Sequence, residues 1–239
     1  MTDALPTPTL ERELVKRILL FTALIGWCGA LVAFRYARSD TMFFGFLFWN
    51  LFLAAVPAMA AWLLVWTAQR RLPWIMQLPL LAIWLAFLPN APYLLTDFVH
   101  LEERPPIPLW YDIALLASFA GTGLLLGYSS LADVQAVVAR RFSAALGWAL
   151  AAVALLLSGF GIYLGRFLRW NSWDALTAPV QLFADITARV SDPLAHPRAL
   201  GVTVIYGVAL LLGYIALRVL GPAAATPLTT PDSAQAPLR

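Results

Sequence analysis

Long apolar runs separated by short polar stretches dominate this chain. They cover residues 18–34, 42–66, 74–95, 109–131, 142–164 and 200–220. Each lies in or near the range of about 17–25 residues needed for a helix to cross a bilayer. The pattern predicts an all-α fold, a polytopic membrane bundle of about six transmembrane helices. The first run follows Lys16 and Arg17 and continues into Phe34-Arg35-Tyr36, which reads as an uncleaved first span rather than a cleaved leader. The third run is interrupted by Pro89 and Pro92, which remove backbone donors and break a helix. Residues 1–17 read as a polar cytoplasmic tail, 18–220 as the transmembrane domain, and 221–239, rich in Pro, Ala and Thr, as a disordered cytoplasmic tail.

Composition supports the membrane reading. Hydrophobic residues make up 61% of the 239 and charged residues only 12%, whereas soluble domains are about half apolar and a quarter charged. The net charge of +3 is spread along the chain without a basic block, so nucleic acid is not an expected partner. Lys16 is the only lysine and precedes the first predicted span, which excludes a Schiff-base lysine inside the bundle. The single cysteine, Cys28, excludes an intrachain disulfide and reads as a buried thiol.

Six spans put both termini on one side. Near the span ends, that side carries eight basic residues: Arg12, Lys16, Arg17, Arg70, Arg71, Arg140, Arg141 and Arg218. The other carries seven: Arg35, Arg38, Arg104, Arg166, Arg169, Arg189 and Arg198. The short connections at Arg70-Arg71 and Arg140-Arg141 have the character of cytoplasmic ends, so the termini are expected inside. Whatever the sign, connections 96–108 and 165–199 share the opposite face. Within the second, residues 173–190 look amphipathic and are expected to lie on the membrane as an interfacial helix or to fold over the face as a lid.

Polar side chains concentrate at that face. In 89–101, Asn90, Tyr93, Thr96, Asp97 and His100 follow the proline break. Asn90 is placed to cap the segment after the break, and Asp97 and His100 share a face if that segment is helical. They form a candidate acid/base pair, against the simpler alternative of a solvated helix end. In 161–174, Tyr163, Arg166 and Trp170 fall on one helical face, followed by Asn171 and Asp174. Arg166 offers a planar fork suited to phosphate or carboxylate, or else a structural partner for Asp97 or Asp112. Asp112, just inside the fourth span, needs a partner, and Arg166 and His100 are the candidates. Asn50, within the second span, is expected to hydrogen-bond a neighbouring helix. Gly161 and Gly165 repeat at the spacing that lets helices approach closely, and Gly123 and Gly127 in the fourth span are their expected counterpart. No phosphate-binding glycine loop, nucleophile elbow or zinc-protease motif is present, and with two histidines, His100 and His196, no metal site and no cofactor are expected.

At these two motifs the chain resembles the bacterial membrane-protein family known as domain of unknown function 1361. The resembling residues are Phe87-Leu88-Pro89-Asn90-Ala91-Pro92-Tyr93 with Thr96-Asp97, and Gly165-Arg166-Phe167 with Asn171-Ser172-Trp173-Asp174. The resemblance runs from the second span to the sixth and implies a multi-pass protein of a bacterial inner membrane. It implies no activity.

The expected site is therefore a polar, partly enclosed pocket at the extracytoplasmic end, with Asp97 and His100 handling a proton. Asn90, Tyr93, Thr96, Asp112, Tyr163, Arg166, Asn171 and Asp174 are expected to bind substrate there. The leading reading is binding or modification of an anionic lipid headgroup or other small polar ligand. The alternatives are an assembly subunit contacting a membrane-protein partner, and a small transporter. The transporter ranks lower, since such sites lie near midplane and accompany repeats, neither of which is seen.

Overall fold

The structure, a computed structural model, describes residues 8–221. The expected 221–239 tail therefore lies outside the described residues except for Gly221, and the 1–17 tail is described only from Pro8. From there the chain is already helical: α1 spans Pro8–Ser39. It is followed by α2 (Phe46–Gln69), α3 (Trp74–Phe87), the single turn α4 (Asn90–Tyr93) and a 3-10 helix, Leu94–His100. Then come α5 (Leu109–Arg141), α6 (Ala144–Phe167), the short α7 (Asp174–Thr177), α8 (Pro179–Ser191) and α9 (Pro197–Leu220). Six helical stretches are long and apolar enough to cross a membrane, and they coincide with the six apolar runs. The molecule is an all-α, multi-pass membrane bundle. Among the described residues, extended pairing is limited to one bridge between Arg104 and Ile107.

The 33-residue α5 is the axis of the bundle and packs against α1, α2, α4 and α6, while α9 packs on α6 and is hydrogen-bonded to α5 through Tyr128 and Tyr214. Small and aliphatic side chains fill the interior in two blocks. One, with Leu47, Leu51, Ala91, Leu94, Leu115 and Phe119, lies around the broken helix. The other, with Leu64, Trp84, Leu88, Leu131, Val134 and Leu155, occupies the opposite half. Cys28 is fully buried in the first block, its Sγ 3.5 Å from Thr122 Oγ1.

The third span breaks where the prolines predict. Helix α3 ends at Phe87, and the chain continues through Leu88 and Pro89 with helical dihedrals but tightens into the 3-10 helix after Tyr93. Asn90, expected from the sequence to cap the segment that follows, does not cap it. Its amide donates back to the Phe87 carbonyl at 3.0 Å, a carbonyl at the end of α3. The side chain thus repairs the end of the helix that the proline interrupted.

The glycine pairs also act differently from expectation. Rather than bringing α5 and α6 together, both pairs receive the broken segment between these helices. A Cβ on Gly161 would stand 2.5 Å from Pro89 Cβ, and one on Gly165 would stand 2.9 Å from the Tyr93 ring. On the other side, a Cβ on Gly123 would meet the Ala91 carbonyl at 2.7 Å and one on Gly127 the Ala91 methyl at 2.8 Å. Two small-residue stripes therefore form the slot in which Pro89–Tyr93 sits, and that slot fixes the position of everything carried on the segment.

Candidate functional site

The broken segment brings its polar groups to the end of the bundle that also holds the α6–α9 connection. There Arg166, at the end of α6, meets Asp97 on the 3-10 helix: Nη2 donates to Oδ1 at 2.7 Å. Arg166 Nε donates to Thr96 Oγ1 at 3.0 Å, and Thr96 is itself held by donating to the Tyr93 carbonyl at 2.6 Å. The second oxygen of Asp97 accepts from Asn50 Nδ2 on α2 at 3.0 Å. Asp97 is 2% exposed and Arg166 20%, so one charge is buried and the other reaches open space. The Tyr93 ring lies under the guanidinium, with 4.7 Å from its centroid to Arg166 Cζ. Asp97 thus ties three elements, α6 through the ion pair with Arg166 and α2 through the hydrogen bond from Asn50, to its own 3-10 helix.

A cavity of about 600 Å³ opens beside this pair. Asn50, Asn90, Tyr93, Asp97, His100 and Arg166 form its polar end. The remaining wall is apolar: Leu53 from α2, Leu85 and Ala86 from α3, and Leu157, Phe160 and Leu164 from α6. Leu157 lies nine residues before Arg166, so the apolar part runs about 13 Å toward the bundle's middle at ~1.5 Å per residue. Trp49 and Leu157 both line the cavity and are 51% and 44% exposed on the bundle's flank. The cavity is thus reached from the side between α2 and α6. Among the described residues, Arg166 Nη1 and the Tyr93 hydroxyl have no protein partner. Both are donors.

Helix α8 covers the polar end. Leu182, Ile186 and Val190 line the cavity, while Val180 and Phe183 are 77% and 70% exposed on the outer side. It lies over the cavity mouth with no residue fully buried. Trp170 Nε1 donates to Asp185 Oδ2 at 2.8 Å, and Arg189 Nη1 donates to Asp185 Oδ1 at 2.8 Å. Hydrogen bonding toward Tyr163, and then the charge of Asp185, hold the Arg189 guanidinium above its ordinary pKa. The connection before α8 is fastened as well: Asn90 Nδ2 donates to Ser172 Oγ at 2.8 Å, and Trp173 packs on Trp49 with centroids 5.9 Å apart.

Several expected members stand elsewhere. Asp112 pairs with Arg35 of α1, not with Arg166 or His100. Arg35 Nε reaches Oδ1 at 2.8 Å and Nη2 reaches Oδ2 at 3.2 Å, with exposures of 2% and 1%. Arg35 also donates to Thr41 at 3.2 Å and sits over the Phe44 ring. This buried pair locks α1 to α5 outside the cavity. Tyr163 is buried between Phe160 and Phe167 in a ring stack and does not line the cavity. Asp174 accepts from the Asn171 backbone N–H at 2.7 Å and from Thr177 at 3.1 Å, a local turn. Asn171 lines the cavity rim. Thr96 acts on the cavity only through Arg166. His100 faces the cavity and packs edge-on to Phe46 at 5.2 Å; among the described residues it makes no hydrogen bond to Asp97. Asn50, read only as a link between helices, holds Asp97, and Ser172 holds Asn90. A polar side chain inside an apolar span was the available signal for Asn50.

A family model matches residues 49–212, and its description is Protein of unknown function (DUF1361). The chain belongs to this family. The matched stretch contains α3 through α8 whole and most of α2 and α9. The DUF1361 region therefore includes every cavity-lining residue except Phe46. It leaves out α1 and with it Arg35. No curated protein and no solved structure matches the chain.

Proposed function

We propose that this protein binds a membrane amphiphile, with the headgroup at Arg166 and the apolar chain against Leu53, Leu85 and Leu157. The observation that carries the reading is the division of one cavity into a polar end with unused donors and an apolar end open to the bundle's flank. Its volume of about 600 Å³ lies within the usual range for small-molecule sites. Lateral access between α2 and α6 suits a ligand that arrives from the bilayer. The Arg35, Arg38 and Arg166 end is the extracytoplasmic one in this reading, in a bacterial inner membrane.

Charge narrows the headgroup. Asp97 offsets Arg166, and among the described residues no other Asp, Glu, Lys or Arg lines the cavity. A dianion would face the Asp97 carboxylate without a second cation. A phosphodiester or carboxylate monoanion, or a hydroxyl-rich head, fits the free Nη1 edge and the Tyr93 hydroxyl. Asp97 has both oxygens occupied by Arg166 and Asn50, so its role in this reading is to aim Arg166 rather than to move a proton. The packed layer of Leu64, Trp84, Leu88 and Leu131 between the cavity and the opposite face favours binding over passage through the bundle.

The test is the lipid that travels with the protein. Full-length chain extracted in polymer-bounded native discs is compared with Arg166→Gln and with Leu157→Trp, which fills the apolar end, by mass spectrometry of bound lipids. Enrichment of one lipid class over the surrounding membrane, lost in both variants, is the expected result. Equal lipid profiles in all three discs would sink the proposal.

A further inference from the structure

A second cavity, of about 710 Å³, lies at the opposite end of the bundle, where α1 begins and α9 ends. It is built from the α2–α3 turn and the last turn of α5. Arg71 comes from the turn and Arg140 and Arg141 from α5, with Trp74, Gln69 and Gln77 completing the polar and aromatic wall. Three solvent-exposed arginines from sites some 70 residues apart in sequence thus line one cleft. None of the three has an acidic partner among the described residues; the nearest acid on α5, Asp133, is occupied by Arg17 at 2.9 Å. Trp74 packs edge-on to Phe142, and its indole N–H has no protein partner among the described residues.

These groups do not support one another. Three cations around one cleft repel, and the C-terminal end of α5 satisfies only part of that charge. Arg71 moreover holds a positive φ of 55°, a backbone state that Asn or Gly adopts with less strain. An anion in the cleft would give these arginines the partner that the described residues do not.

We infer that this cleft is a second binding site, independent of the Arg166 cavity, for a phosphate-bearing anion at the membrane surface. The chemistry is that of a phosphodiester or phosphate oxygen cluster bound by Arg forks, and basic pockets between spanning helices take phospholipid headgroups in this way. Trp74 would sit at the glycerol level, as aromatic side chains do at the interface.

The full-length protein in phosphatidylcholine nanodiscs is titrated with phosphatidylglycerol and read by native mass spectrometry. The wild-type protein is expected to prefer phosphatidylglycerol. Arg71→Gln/Arg140→Gln/Arg141→Gln is expected to lose that preference by about tenfold or more, with an unchanged thermal midpoint. Arg198→Gln, an arginine of the other face, is expected to keep it, as is the triple Lys variant in large part. Should the triple Gln variant fail to fold, Arg71→Gln alone, on an exposed turn, carries the test with a loss of about fivefold. Inorganic phosphate added at excess separates the sources: displacement of the lipid means soluble phosphate occupies the cleft too, and retention assigns it to the lipid headgroup. Equal binding of the two lipids by wild type, or an undiminished preference in the triple Gln variant, overturns the inference. Arg166→Gln in the same assay reports on the other cavity, so failure at one site is distinguishable from failure at the other.

Discussion

Arg166 and Asp97 meet at 2.7 Å across the junction of α6 and the 3-10 helix, and they are unequally buried: 20% exposure for the guanidinium against 2% for the carboxylate. The pair therefore hides its anion and presents its cation. Removing one partner is worse than removing both, because the survivor would be a buried, uncompensated charge. Arg166→Gln is expected to destabilise by about 3–5 kcal/mol, and Arg166→Gln/Asp97→Asn by less than half of that. Thermal unfolding of the single and double variants in detergent is the measurement. A double variant as unstable as the sum of the singles would mean that the two side chains act separately.

The slot that holds the broken helix gives a sharper steric test. Gly161→Ala places a methyl 2.5 Å from Pro89 Cβ. Neither helix backbone can yield freely, so the change is expected to destabilise by about 1–3 kcal/mol, as overpacking does, and to displace Asn90 and Tyr93 with the segment. Gly26→Ala is the matched control, since nothing lies within 4 Å of the added carbon. There the change is expected to be neutral or to stabilise α1 by up to about 1 kcal/mol through helix propensity. If the two alanine variants unfolded at the same temperature, close approach at Gly161 would not be what seats the segment.

How much of this was legible beforehand follows from what each residue's neighbours had to be. The six spans are written in local hydropathy, and the break at Pro89 in backbone chemistry that needs no tertiary partner. Arg166 with Asp97 was readable because both belong to polar clusters at span ends that topology puts on one face. Asp112 was not. Its partner Arg35 sits 77 positions away on α1 and, read alone, is an ordinary helix-end arginine. The glycine stripes announced close approach without naming the third element that enters between them. Asn50 likewise announced a hydrogen bond without its acceptor. Which helix stands next to which is the quantity that local pattern does not carry.

That distinction makes Arg35 and Asp112 a test of assignment. Their hydrogen-bonded ion pair is outside both cavities and clamps α1 to α5. Arg35→Met alone is expected to destabilise by about 3–5 kcal/mol, whereas Arg35→Met/Asp112→Leu is expected to regain most of it, as apolar replacements of buried pairs do. Lipids retained at the Arg166 cavity should be unchanged in the double variant. Loss of those lipids in a stably folded double variant would return Asp112 to the binding site.

The covering helix α8 can be loosened by removing one hydrogen-bond donor, on Trp170 at the rim of the cavity. Its polar attachment is Asp185, which accepts from Trp170 Nε1 at 2.8 Å and is held in place within α8 by Arg189 Nη1, also at 2.8 Å. Trp170→Phe keeps a ring in place and removes only the indole donor, a loss of about 1 kcal/mol or roughly fivefold in an opening equilibrium. Amide hydrogen exchange across 179–191 is therefore expected to rise about fivefold, with exchange in α5 and α6 unchanged. If the cavity binds lipid as proposed, that lipid should also leave faster, since the cover is part of its enclosure. Unaltered exchange across 179–191 would show that the apolar contacts of Leu182, Ile186 and Val190 alone keep α8 down, and the Trp170–Asp185 bond would then be an ornament of the closed state rather than its fastening.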